Sequence, residues 1–214
     1  MAIRGDGCVA PSGGHLKKPV CKSMRLILAT LVGFLWPVLA SADPQIKSGW
    51  SWAYQTGVMT DNRAGDALNP ANSEWVENYL LGFLLGYEKP WGETRFTFGA
   101  EFQANAHFGN QGFYELVVPV TLRYHPESSW WNAFDSFAAG LGYSHYSELS
   151  DIELSNYDGE GRRNLFYWFI ELEFAELNAR DNLFVRIHHR SNAFDTVTPN
   201  GGSNALVVGF RRRF

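Results

Sequence analysis

Between Arg186 and Asp195 the chain reads RIHHRSNAFD. His189 and Ser191 stand two residues apart, and in an extended strand side chains two apart point the same way. An imidazole beside a hydroxyl can make a nucleophile of serine, because the ring takes the hydroxyl proton as the oxygen attacks. A third group has to hold the ring. Asn204, at the start of the next strand-like stretch, offers an amide oxygen for the Nδ1 proton. Such an oxygen fixes the tautomer without charge, and it stabilises the imidazolium less than a carboxylate would. Ser191 as nucleophile, His189 as base and Asn204 as orienting amide form a candidate hydrolytic triad. Asp195 is a second choice for the orienting role, since it lies in the loop. Leu183, Val185 and Ile187 are in phase with His189 and Ser191, so the candidate chemistry shares an apolar face.

The elements that must position these residues alternate with period two. In RFTFGAEFQANA, Phe96, Phe98, Ala100, Phe102 and Ala104 fall on one face, and Arg95, Thr97, Gly99, Glu101, Gln103 and Asn105 on the other. That is a strand with one apolar and one polar side. The same pattern predicts strands near 49–58, 76–87, 94–105, 115–125, 136–146, 164–175, 182–191 and 204–214. The connections 59–75, 106–114, 147–163 and 192–203 read as long loops rich in Gly, Asn, Asp and Ser. KPWG and ELNARD read as short turns, and PESSWWNAF is intermediate. Long loops at one end and short turns at the other are the pattern of an eight-stranded antiparallel transmembrane β-barrel. Trp50, Trp91, Trp130 and Trp131 fall at the short-turn end, where an interfacial belt belongs. Phe214 closes the last strand in phase with Val208 and Phe210.

A soluble barrel also alternates, with its phenylalanines turned inward, and parity alone does not separate the two. The leader, the tryptophan belt and the terminal Phe favour the membrane barrel. Arg95, Glu101, Arg123, Glu171, Glu173 and Arg186 are then lumen groups able to pair with one another. The hairpin 182–214 brings Asn204 beside His189 on the lipid-facing side. Because its first strand runs from a short turn toward a long loop, the triad lies at the outer rim, level with the outer leaflet. His188, of opposite parity, belongs to the lumen or rim, and the arginines at 211–213 belong to the inner rim.

The run HHRSNAF…TPNGGSN ahead of a terminal strand resembles the lipid A 3-O-deacylases of the PagL type, which are small eight-stranded outer-membrane barrels. That family carries His-x-Ser-Asn in its penultimate strand, then a PN-x-G loop and an orienting Glu. The resemblance implies His189 as base, Ser191 as nucleophile and Asn192, or the backbone around it, as oxyanion donor. It rests on the last thirty or so residues. Counted from PNGG, the Glu position is occupied by Asn204. A Ser-His-Asn set is similar to that of outer-membrane phospholipase A, a twelve-stranded barrel too large for this chain.

Three activities follow as expectations. The first is an outer-membrane esterase removing an acyl chain of lipid A. The second is a phospholipase using the same triad, and the third a non-catalytic structural barrel. Residues 1–42 read as a signal-peptide region: MRLILATLVGFLWPVLASA has a basic start, an apolar run and small residues before Asp43. Met24 is then the expected start, and 43–214 the barrel domain in the outer membrane of a Gram-negative bacterium. Cleavage removes both cysteines and leaves 13 basic and 21 acidic residues, a net charge of −8. So acidic a chain is a poor nucleic-acid binder. His107, His125 and His145 show no metal-ligand spacing, GFLLGYEKPWG has no phosphate-loop pattern, and no metal or cofactor is expected.

Overall fold

The computed structural model describes residues 48–61, 73–126, 134–174, 181–193, 196 and 198–214. The expected signal segment, Trp130, Trp131 and Asp195 lie outside the described residues. The eight strands are β1 Gly49–Thr60, β2 Trp75–Pro90, β3 Phe96–Gly109, β4 Phe113–Tyr124, β5 Phe134–Tyr146, β6 Asn164–Phe174, β7 Asp181–Ser191 and β8 Gly202–Arg213. Each pairs antiparallel with its sequence neighbour in a closed barrel. Closure is made by β1 on β8, from Ser51 opposite Arg213 to Thr60 opposite Asn204. No strand edge is left open, as a barrel in lipid requires.

One connection departs from expectation. The predicted loop 106–114 is mostly strand, and only 110–112 remain between β3 and β4. Ala106 and Phe108 continue the outward phase of β3, while His107 faces inward, so the alternation does not stop where the expected loop begins. Gly109, at φ 117°, makes the tight turn in a conformation that side-chain-bearing residues rarely adopt.

The barrel is inside-out relative to a soluble one. Phe98, Phe102, Leu116, Val118, Val120, Leu141, Ile170, Leu183 and Val208 are exposed on its exterior. Phe96, expected on that face, is buried against Tyr124 with ring centroids 5.1 Å apart at the inner end. Trp50 and Trp91 are exposed at the inner rim as expected, and Trp75, Tyr79, Phe108 and Tyr114 ring the outer end.

Inside, the lumen is divided. Glu101, Glu171, Glu173, Arg123, Arg186 and Arg211 are buried together in its inner half. Arg186 spans Glu101 at 2.8 Å and Glu171 at 2.6 Å, while Arg123 holds Glu173 at 2.6 Å and Glu171 at 2.9 Å. Arg211, expected at the inner rim, reaches this cluster, and Arg212 stays outside on Asp181. Phe184 lies across from Gly209 and Phe169 across from Gly140, each ring filling the space a Cβ would need. The Arg186 guanidinium sits 3.9 Å from the Phe169 ring centroid. The rest of the lumen is mixed, with Glu115 bonded to His107, His188 and Asn105 beside apolar side chains. Met59, Leu80, Leu84, Phe184 and Val207 form an apolar cluster with Ile152.

Ile152 belongs to α1, Asp151–Asn156, in the connection between β5 and β6. Glu153 of the same turn is buried against Arg190 at 2.8 Å and accepts a hydrogen bond from Ser203 at 2.8 Å. Burial pushes its carboxyl above the usual range, with Arg190 and Ser203 pulling the other way.

Two substitutions test this partition. Arg186→Met takes a buried cation from Glu101 and Glu171, leaving them to Arg211 and Arg123, and is expected to cost about 3 kcal/mol, read by urea unfolding in micelles. Val118→Arg places a cation on the lipid face near mid-strand and is expected to cost about 2–4 kcal/mol. The same measurement would show almost no loss if that face met water.

Candidate active site

β6, β7 and β8 bring the triad residues to one side of one rim. On β7, Leu183, Val185 and Ile187 face outward, and His189 and Ser191 continue that phase. His189 lies opposite Trp168 on β6 and opposite Asn204 on β8, and Asn204 lies opposite Thr60 on β1. Trp168, His189, Asn204 and Thr60 thus form one cross-strand row. One residue pair further out, Ser191 lies between Phe166 and Gly202.

His189 Nδ1 is 2.5 Å from Asn204 Oδ1. An amide oxygen is an acceptor only, so Nδ1 carries the proton and donates it, and Nε2 is left with its lone pair. Although it projects outward, His189 is 5% exposed and Asn204 4% exposed. The Trp168 ring covers the imidazole at a centroid distance of 4.5 Å and a tilt of 41°. A polar pair on the lipid side avoids most of its desolvation penalty when its members bond each other.

Ser191 is half-buried. Its Oγ accepts a hydrogen bond from the Ala193 N–H at 3.3 Å. Among the described residues no hydrogen bond joins Ser191 Oγ to His189. Ala193 has φ 50°, and this left-handed turn aims its N–H back at the serine. The Asn192 side chain donates to Asn200 Oδ1 at 2.7 Å, and its N–H donates to Gly201 O at 3.2 Å. His188 points the other way, buried in the lumen with its Nε2 3.0 Å from Glu115. His107 meets the same carboxylate at 3.2 Å.

Four contributors were not singled out from the sequence. Trp168 could have been, since its outward phase on β6 sets it opposite His189. Gly202 leaves space beside Ser191, and a Cβ there would come within 3.0 Å of the Tyr157 hydroxyl. Tyr157 caps α1, and neither that short helix nor the left-handed Ala193 has a periodic signature.

No protein-family model matches the chain, and no curated protein matches it. Among solved structures the barrel is similar to that of the outer membrane enzyme PagL, with a TM-score of 0.52 and 17% identity over 76% of this chain and 98% of that one. It is also similar to Neisserial surface protein A, NspA, with a TM-score of 0.42 and 10% identity over 78% of this chain and 96% of that one. At such identities the likeness is one of fold, and the chain has the architecture of an eight-stranded outer-membrane barrel.

Proposed function

We propose that this barrel is an outer-membrane esterase that removes an acyl chain from lipid A, with Ser191 as nucleophile, His189 as base and Asn204 holding the base. The observation that carries the reading is the His189–Asn204 hydrogen bond of 2.5 Å on the lipid-facing side. A histidine fixed by an amide, in phase with a serine two residues on, has little structural reason to face lipid. The fold of the enzyme PagL supports the reading.

In this mechanism Ser191 Oγ attacks the ester carbonyl carbon. Its proton passes to His189 Nε2 and then to the departing lipid hydroxyl as the C–O bond breaks. Water, deprotonated by the same nitrogen, cleaves the acyl-serine and releases the fatty acid. The Ser191 hydroxyl has to turn from Ala193 toward the imidazole, and catalytic hydrogen bonds often tighten only when substrate is bound. The Ala193 N–H, already aimed at Oγ, is the oxyanion donor of this scheme, since the Asn192 N–H is taken by Gly201 O. Phe166, Ile170 and Val208, exposed on the flanking strands, receive the acyl chains, so the substrate stays in its leaflet throughout.

Mass spectrometry of lipid A from cells with and without the protein is the test, and loss of one acyl chain is expected. Unchanged lipid A, with free fatty acid and lysophospholipid released from phospholipid vesicles, would move the assignment to a phospholipase. Neither product from folded protein would leave a structural barrel. Ser191→Ala should lower the rate by about a thousandfold or more, and Asn204→Ala on the order of 100-fold. Asn204→Glu should raise it above wild type, since a carboxylate stabilises the imidazolium better than an amide.

A further inference from the structure

β5 and β7 run in the same direction and end at the same rim, two strands apart. β7 ends in His189-Arg190-Ser191, and β5 runs out into His145-Tyr146-Ser147. His189 has Asn204 across from it on the following strand, and His145 has Asn164. The hydrogen bonds match atom for atom: His145 Nδ1 is 2.5 Å from Asn164 Oδ1, the same separation as between His189 and Asn204.

The second set also faces outward. Leu141 and Tyr143, in phase with His145, are 58% and 50% exposed. Ser147 continues the phase one residue beyond the strand. Its N–H donates to Tyr114 O at 2.8 Å, so it stands beside Tyr114, whose side chain is exposed on the exterior. Ser147 Oγ accepts the Tyr114 N–H at 2.9 Å, as Ser191 Oγ accepts that of Ala193. Each set therefore has a serine with one backbone N–H on its oxygen, a histidine with a free Nε2 and an amide holding Nδ1. Two strand spacings separate the histidines by about 10 Å across the wall, and the four residues from Asn164 to Trp168 on β6 add about 13 Å along it.

We infer that Ser147, His145 and Asn164 form a second nucleophile–base–amide set, able to cleave acyl esters of outer-leaflet lipids. Ser147 Oγ bonds to the acyl carbon, and the ester C–O bond breaks. His145 Nε2 carries the serine proton to the leaving hydroxyl, and water then frees the fatty acid. This set is slower than the first. Glu148 follows Ser147 where Asn192 follows Ser191, and a carboxylate opposes negative charge growing on the carbonyl oxygen. His145 is also less deeply buried than His189. The inference uses the chemistry proposed for Ser191 but none of its residues, so each can fail without the other.

The experiment is fluorophosphonate labelling of the purified full chain in detergent micelles, where the serine oxygen displaces fluoride from phosphorus. Peptide mass spectrometry then reads Ser147 and Ser191 separately, and heat-modified electrophoretic migration verifies that each variant is folded. Ser147 should be labelled in the wild type and in Ser191→Ala, and His145→Gln should slow its labelling on the order of 100-fold. An unlabelled Ser147 in the folded wild type, or an equal rate in His145→Gln, would overturn the inference whatever Ser191 does. Label on Ser147 with none on Ser191 would support the second set and sink the first.

Discussion

A strand in hydrocarbon has no water to satisfy its backbone, so every N–H and C=O must find another strand. In this chain the demand is met by β8 returning to β1, from Ser51–Arg213 at one rim to Thr60–Asn204 at the other. Once that pairing is fixed, so is the phase of every side chain, because a slip of one residue would exchange lumen and lipid faces throughout. The position of His189 outside and His188 inside follows from closure and not from any local preference of histidine.

The same closure explains why so much charge tolerates burial. Arg186 would be costly on either face alone, yet in the lumen it meets Glu101 and Glu171 and lies against the Phe169 ring. Buried ions become affordable when several geometries converge on them, and here carboxylates come from β2, β3 and β6 while guanidiniums come from β4, β7 and β8. The opposite half of the lumen sets the apolar cluster of Met59, Leu80, Leu84 and Val207 beside smaller polar groupings, Glu115 with His107 and His188 and Glu153 with Arg190.

Strand order, phase and the outward row containing His189 and Asn204 were legible in the sequence because all three follow from period two. Cross-strand partners follow from hairpin register, which is why Asn204 could be placed from the chain alone. What escaped has no period. The apolar side of the lumen was hidden because β2, with LLGFLLG, is apolar on both faces, and alternation says nothing there. The turn at Gly109 was hidden because strand ends are set by where pairing stops, not by composition. Ala193 at positive φ, α1 with Ile152 in the lumen cluster and the Tyr157 hydroxyl beside Gly202 are tertiary arrangements of residues unremarkable in themselves.

The choice of an amide to hold the histidine also follows from the surroundings. At an aqueous site a carboxylate is the stronger partner, since it meets the imidazolium with full charge. On the lipid-facing wall, with His189 and Asn204 both buried, a carboxylate would have to be desolvated beside a neutral ring whenever the site is idle. Asn204 carries no charge to desolvate, and its Oδ1 at 2.5 Å still selects the tautomer that leaves Nε2 basic. In the proposed reaction this arrangement gives up stabilisation of the ion pair formed as serine is deprotonated, in exchange for a resting state that hydrocarbon tolerates. The same histidine–amide hydrogen bond recurs at His145 and Asn164, two strands away on the same wall. An amide at both places holds the imidazole in one tautomer at the edge of a bilayer without a charge to desolvate.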